Sequence, residues 1–488
     1  MKKSITFLTL LIVTLFVLPT GIVSASQSYN YGPMEILESA SSMSVNRIID
    51  NSNIADVNGD LSTYRLGKLN DVFVYENQIY VSDATNHHIL VFNDQFQVVD
   101  TFPQQVEGVV REGEQLNQPN GLYIRDGLLY VADSENNRIV VFNLETKEMV
   151  MEVKNPQDPI FESVKFKPLK ISVDRTGRMF VVAHDIFEGI MDFNPDGTFS
   201  RFYGTNKITM SFFENLVYRL SSQKQREKQE LKLQVSFVNL DIDEYGYVYT
   251  VSKPDVLDII KKINFKGKDV LNKNGYVNPV GDVVFEEDSK IVPTGSSTIV
   301  DIAVSPNGNM YSALDSKRGR IFTYDNEGNL LYIFGQLGTQ SSMFNSPVSL
   351  TYFNDNIIVL DQINKSIIVF EPTQFGDLIN RATNLYLDAD YSEAKVLWEE
   401  VLKLNSNYFL AYNGIGKAQL RDGDYKLAMK NLELGFDRYN YSKAYEQHRN
   451  QQLDTYLPYV LVIGFVGIGY LFYKSLKNSV EREKEGEE

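Results

Sequence analysis

Residues Pro119–Phe142 read PNGLYIRDGLLYVADSENNRIVVF. Two apolar runs, Gly121–Ile124 and Leu128–Ala132, flank Arg125-Asp126-Gly127, and a third, Arg138–Phe142, follows the polar stretch Asp133–Asn137. Asp-Gly between β-formers signals a tight hairpin, because both residues tolerate the positive φ that such turns demand. Asp133 opens the second turn, where its carboxylate is placed to accept backbone N–H groups that would otherwise lack partners. The stretch is therefore a small antiparallel meander. Alone it cannot bury both faces, so it requires neighbours of its own kind.

Such neighbours recur along the chain. Leu69–Phe92 carries Ile79-Tyr80-Val81-Ser82-Asp83 and then Asn86-His87-His88-Ile89-Leu90-Val91-Phe92, and Pro347–Phe370 carries Ile358-Val359-Leu360-Asp361 and then Asn364-Lys365-Ser366-Ile367-Ile368-Val369-Phe370. Weaker copies lie between, at Pro168–Phe193, Phe237–Phe265 and Ile299–Tyr324, marked by Asp174-Arg175-Thr176-Gly177, Asp243-Glu244-Tyr245-Gly246 and Ser305-Pro306-Asn307-Gly308. From Asp83 to Asp133 is 50 residues. Six copies of a four-stranded unit at such a period predict a mainly β chain folded as a six-bladed β-propeller.

The pattern of proline, glycine, a D-G turn and then Y-V-A-D-x-x-N-x-R-I-x-V-F resembles the NHL repeat. The match is close in Pro119–Phe142, good in Leu69–Phe92 and Pro347–Phe370, and partial in the other three copies. Phe202-Tyr203-Gly204 and Phe334-Gly335 look like that family's habitual Phe-Gly after the outer strand. The resemblance covers residues 60–372 and implies a six-bladed propeller. It implies far less about function, since one fold hosts many activities. Related six-bladed propellers include lactonases that hold a metal ion in the central channel with acidic and Asn side chains. That ligand set cannot be matched here residue by residue. The recurring Asp83, Asp133 and Asp361, with Asn86, Asn136 and Asn364, hold the same place in each repeat, so each is expected to satisfy its own turn rather than to form a metal ring.

Ahead of the propeller, residues 1–25 combine Met1-Lys2-Lys3, a long apolar run and Val23-Ser24-Ala25, the pattern of a secretory signal cleaved after Ala25; an uncleaved anchor is the alternative. Residues 26–59 are polar, and some part of them is expected to supply the strand that closes the ring. Two insertions interrupt the repeats. Residues 209–233 place Phe212, Phe213, Leu216, Val217 and Leu220 at helical spacing before a charged run. Residues 266–298 read as a Gly/Asn/Pro-rich loop with an acidic patch, Glu286-Glu287-Asp288, more in keeping with a solvated loop than with a cation site.

After Pro372 the apolar period changes from 2 to 3.6. Residues 375–440 hold two helical hairpins offset by 34 residues: Ala382 answers Gly416, Asp390-Tyr391 answers Asp424-Tyr425, Ala394 answers Ala428 and Trp398 answers Leu432. The alternation of small and large residues is similar to tetratricopeptide repeats, although the usual proline at the repeat end is missing. Two repeats are too few to stand alone, so docking on the propeller or on the next helix is expected, with Trp398 buried near Ala382. Residues 441–455 read as a polar juxtamembrane helix. Residues 456–473 contain no charge and, as a helix, span about 27 Å, near the thickness of a bilayer's hydrocarbon core. Tyrosines stand at both ends of that span, and Lys474 and Lys477 follow, which predicts a cytoplasmic tail over 474–488. Its last stretch, Glu481–Glu488, reads as disordered.

The 488-residue chain contains no Cys, so neither disulfides nor thiol chemistry operate, and its net charge of −16 argues against nucleic acid as a partner. Only four histidines occur, with no HExxH or Cys pair to suggest zinc and no G-x-S-x-G elbow. His87-His88 is expected at an exposed turn. No catalytic or cofactor residue is predicted, and a channel Ca²⁺ stays open. The expectation is a bacterial, single-pass, extracytoplasmic binding or scaffold protein that holds a protein or glycan partner, as part of an envelope or transporter complex. The alternative is a metal-dependent lactonase- or lyase-like enzyme, marked by carboxylates and amides converging on the propeller axis.

Overall fold

The structure, a computed structural model, describes residues 28–485 except 34, 107, 158, 163, 205–235, 254–257, 283–294 and 341. The leader 1–25, the helical insertion 209–233 and the acidic patch Glu286-Glu287-Asp288 lie outside the described residues.

Six sheets form the propeller. Blade 1 runs Leu69–Tyr75, Gln78–Asp83, His88–Phe92 and Gln97–Phe102. Blade 2 runs Pro119–Arg125, Leu128–Asp133, Arg138–Asn143 and Met149–Val153, and blade 3 runs Pro168–Val173, Met179–Ala183, Ile190–Phe193 and Phe199–Tyr203. Blade 4 has three described strands, Phe237–Ile242, Val248–Ser252 and Ile260–Ile263; blade 5 runs Ile299–Val304, Met310–Asp315, Arg320–Asp325 and Leu330–Phe334. Blade 6 takes Pro347–Phe353, Asn356–Asp361 and Ser366–Pro372 from its own repeat, and its outer strand, Met43–Ile49, from the N-terminal segment. That strand pairs antiparallel from Ile367↔Ile49 to Pro372↔Met43 and closes the ring. Each innermost strand touches the next, from blade 1 round to blade 6 and back.

Local chemistry explains the turns. In blade 2 Asp126 and Gly127 adopt φ of 51° and 73°, the double positive φ of a tight hairpin that matches the strand twist. Gly121 serves packing instead. A Cβ there would lie 2.6 Å from Lys170 Cα and 2.7 Å from Leu169 O, so its lack of a side chain lets the inner strands of blades 2 and 3 meet. Ahead of the closing strand, Tyr29 and Tyr31 both donate their hydroxyls to Asp282 Oδ1, at 2.5 and 2.6 Å, and anchor the N-terminal segment to the connection that enters blade 5. Asp282, within residues 266–298, is thus a fully buried anchor point.

Five helices follow: α1 (Gln374–Leu387), α2 (Tyr391–Leu404), α3 (Phe409–Asp422), α4 (Tyr425–Leu434) and α5 (Arg438–Glu485). Thr373 caps α1 by accepting from Gly376 N with its Oγ1, while its own N–H and hydroxyl donate to the carbonyls of Ser42 and Ser41 beside the closing strand. One apolar core runs from Phe334, Phe344 and Phe370 in blades 5 and 6 into Phe375, Trp398 and Tyr408 of the helical region. Polar contacts reinforce it. Tyr408 Oη donates to Leu331 O at 2.9 Å, Tyr332 Oη to Asn380 Oδ1 at 2.9 Å, and Asn384 Oδ1 accepts from the side chains of Asn307 and Asn309. Asn307 and Asn309 lie in the turn between the first two strands of blade 5, so the helices dock at that end of the propeller.

Trp398 is 4% exposed and stacks on Tyr408, with ring centroids 6.1 Å apart. Gly416 and Leu432 meet closely: a Cβ on Gly416 would lie 2.6 Å from Leu432 Cγ. Ala428 and Leu432 then pack with Ala444 at the start of α5. From Tyr445 onward α5 is mostly exposed, and it is long and apolar enough to cross a membrane. Pro458 lies inside it and withholds one main-chain donor from the helix ladder. The helix is continuous across residues 441–473 and runs to Glu485, so the charged end expected to be disordered is helical through that residue. Consecutive i→i−4 bonds carry the helix past Lys474 and Lys477 without a break.

Candidate functional site

Three places gather polar side chains with defined geometry: the turns between the second and third strands of the blades, the propeller axis, and the junction between blade 5 and the helices.

The turns are held by fully buried aspartates. Asp133 Oδ1 accepts from Asn117 N at 2.7 Å, and its Oδ2 accepts from Asn136 Nδ2 at 2.8 Å and Arg138 Nε at 2.7 Å. Asp83 accepts from Gly67 N at 2.6 Å and from the N–H groups of Thr85 and Asn86, with Asn86 Nδ2 on its Oδ2. Asp361 accepts from Asn345 N, Ser346 N, Asn364 N and Asn364 Nδ2. Each asparagine partner in blades 1 and 2 also donates to the entry loop of its blade, Asn86 to Arg65 O and Asn136 to Gln115 O. The device staples a turn to the chain that enters the inner strand, and it leaves the carboxylate oxygens occupied. His87 is exposed in the same turn of blade 1, its Nδ1 accepting from Gln118 N, whereas His88 turns inward and burial lowers its pKa.

The axis carries Asp71, Lys170, Asp301 and Asp241, contributed by the inner strands of blades 1, 3, 5 and 4. Each carboxylate reaches the neighbouring blade. Asp71 Oδ2 accepts from Leu122 N at 2.7 Å, Asp241 Oδ2 from Val304 N at 2.8 Å and Asp301 Oδ2 from Leu350 N at 2.7 Å. Lys170 bridges blades 1 and 3, its Nζ 2.6 Å from Asp71 Oδ1 and 4.0 Å from Asp301 Oδ1. Burial would lower the Lys170 ammonium, but Asp71 and Asp301 beside it hold its pKa above the usual lysine range. Burial raises Asp301 and Asp241 to about 6 against the pull of Lys170 and their backbone donors.

This set does not fit a channel Ca²⁺. An ammonium stands among the carboxylates where the cation would sit, and backbone N–H groups take the oxygen lone pairs that a hard cation needs. Among the described residues no group of three or more His, Asp or Glu side chains is placed to hold a metal ion.

The junction forms an open groove of about 730 Å³. Tyr276, Asp325 and Glu327 line its propeller wall; Trp398, Asn413 and Lys417 line its helical wall. Tyr276 Oη donates to Gly435 O at 2.6 Å and accepts from Asn413 Nδ2 at 2.8 Å, which joins the two walls. Lys417 Nζ lies 3.5 Å from Glu327. Burial raises Asp325 to about 6, although its oxygens accept from the N–H groups of Glu327 and Asn329 and from the Asn329 side chain.

Residues 116–142 match the NHL repeat. They span the first three strands of blade 2 up to Phe142, with the end of the loop that enters it. No curated protein matches the chain. Among solved structures, the β-propeller domain of Myceliophteria thermophila Cps50 (Swd1) is 7% identical, covering 68% of this chain and all of that one at a TM-score of 0.38. Hydrazine synthase of Kuenenia stuttgartiensis is 12% identical, covering 64% of this chain and 98% of its own at 0.39. A streptogramin B lyase is 12% identical, covering 72% and 95% at 0.39. Likeness at that level says nothing about activity.

Asp315 is a further turn aspartate, accepting from Thr298 N at 2.9 Å, Lys317 N at 2.9 Å and Ser297 Oγ at 2.8 Å. Its signal was available: Leu314-Asp315-Ser316 repeats Ala132-Asp133-Ser134, but no Asn follows at the third place. The axial set also left a trace, since Asp71, Lys170, Asp301 and Ser349 each stand at the third place of their inner strand. Ser349 Oγ donates to Asp71 Oδ1 at 2.8 Å.

Proposed function

We propose that the protein is a membrane-tethered extracytoplasmic scaffold in which an NHL-type propeller and tetratricopeptide-like hairpins hold a protein partner beside the membrane. The observation that carries the reading is the single core shared by blades 5 and 6 and α1–α3, beside which a second, smaller core of Ala428, Leu432 and Ala444 joins α4 to a long exposed apolar helix. A rigid body joined in this way to a membrane span presents its surfaces at a set orientation, which suits assembly more than turnover. The leader over 1–25 and the lysines after Tyr473 support an outward propeller and a cytoplasmic C-terminus. Lys170, by placing an ammonium among the axial carboxylates, works against a metal-dependent lactonase or lyase. Cross-linking in native membranes, followed by purification of the detergent-solubilised chain, tests the reading. A recurrent partner at near-equal stoichiometry is expected. Recovery of the chain alone, together with hydrolysis of a lactone by the purified protein, would overturn it.

A further inference from the structure

We propose that the groove between blade 5 and the helices binds an extended acidic peptide segment of the partner; this rests on the scaffold reading and adds a site and a ligand chemistry to it. The groove's charges do not balance. Its carboxylates are engaged: Asp325 by the turn that it caps, Glu327 by Lys417, and Asp437 by the N–H and side chain of Asn440. Its outer cations are not. Arg421, Arg438 and Lys443 line the groove and form no ion pair among the described residues. Arg421 lies 3.7 Å above the Tyr391 ring and Lys443 lies 4.2 Å above Tyr439, contacts that leave their N–H groups open to a carboxylate. Three uncompensated cations around one concavity, on a chain of net charge −16, select a ligand of negative charge.

The floor is closed and apolar. Trp398 is 4% exposed and its Nε1 is packed against Gly414, where a Cβ would lie 2.4 Å away. An extended peptide can lie over this floor while its acidic side chains reach the cations at the rim. Tyr276, Phe436 and Tyr439 supply aromatic surface of the kind that interfaces favour. Propeller residues form one wall and helical residues the other, so the site exists only because the two regions are docked.

Trp398 is the sole tryptophan of the chain and reports on the groove directly. The detergent-solubilised full chain is titrated with a blocked peptide of about ten residues alternating Glu and Ala, with the matching Lys-Ala peptide, and with inorganic phosphate. A saturable change in Trp398 emission with the acidic peptide alone is expected, weakening as salt rises. The exposed pair Arg421→Ala and Arg438→Ala should raise its Kd about tenfold or more. No saturable response to the acidic peptide, an equal response to the Lys-Ala peptide or to phosphate, or an unchanged Kd in the double variant would overturn the proposal. Cross-linking separates this from the wider reading. A native partner captured equally by parent and double variant would sink the groove and leave the scaffold standing; a parent that captures none would sink both.

Discussion

Asp133 and Asp83 occupy the same place in adjacent blades, yet their surroundings differ at one position. Asp133 is paired with Arg138, whose side chain is 10% exposed; at the matching place beside Asp83 stands His88, with its pKa lowered by burial. Asp83→Ala orphans turn N–H groups and should cost about 1–3 kcal/mol. Asp133→Ala strands a mostly buried guanidinium as well and should cost about 3–5 kcal/mol. Urea unfolding of the two variants measures the order; equal losses would mean that Arg138 finds enough compensation in Glu152, 2.8 Å away. The axis gives a pH-dependent counterpart. Asp301 titrates at about 6 when folded, against an ordinary carboxyl value of about 4 when unfolded. Between these values the folded state holds the extra proton, so the stability due to Asp301 is fully present below the unfolded value and is lost as pH rises through the folded one. Asp301→Asn removes that titration. The stability of the parent minus that of the variant should therefore shrink between about pH 4 and about pH 7.5; a difference flat across the range would refute the raised carboxyl.

At the scale of elements, the informative joint lies between α2 and α3. Trp398 stacks on Tyr408, and Tyr408 in turn donates to Leu331 of blade 5. The tryptophan thus belongs to a core that includes Phe334 and Phe370 of the propeller, not to the helical hairpins alone. Trp398→Ala should cost about 3–5 kcal/mol, as for other buried aromatics. Because the core is shared, the loss is expected to move one unfolding transition that carries both helix and sheet signals. Two separated transitions, with the β signal unmoved, would show that the helices unfold independently. In the parent, emission from Trp398 should be blue-shifted and poorly quenched by iodide; red-shifted, easily quenched emission would contradict its burial.

For the whole molecule, the proposed membrane tether makes a topology that can be tested. The lysines that follow Tyr473, and the leader pattern at the N-terminus, favour an outward propeller and an inward tail. Protease added to intact protoplasts should then remove everything before residue 456 and spare a short C-terminal fragment. A propeller protected until the cells are lysed would reverse the topology. Residues 445–455 of α5 extend beyond the helical core at about 1.5 Å each, roughly 16 Å in all, before the uncharged stretch 456–473 begins.

The repeats from Leu69 to Phe370 are legible in the sequence because each blade is a local object. In blade 2, alternating apolar residues, a D-G turn and an aspartate with its own asparagine lie within about 25 residues of one another, blades 1 and 6 repeat the aspartate and asparagine, and the contacts that satisfy them are made at the same short range. The same holds for the apolar stretch 456–473, whose length and lack of charge are properties of consecutive residues. What the local pattern could not carry is every contact made between distant segments. Met43–Ile49 completes blade 6 with strands that lie far along the chain, from Ile49 to Ile367 at one end of the ladder, and nothing in its alternation distinguishes it from its neighbours in 26–59. Lys170 meets Asp71 and Asp301 only after six blades close into a ring, because side chains that are far apart in the chain become neighbours at an axis. The groove between blade 5 and the helices arises for the same reason: its walls come from well-separated parts of the sequence, and only the docking of α1–α3 on the propeller brings Tyr276 to Asn413.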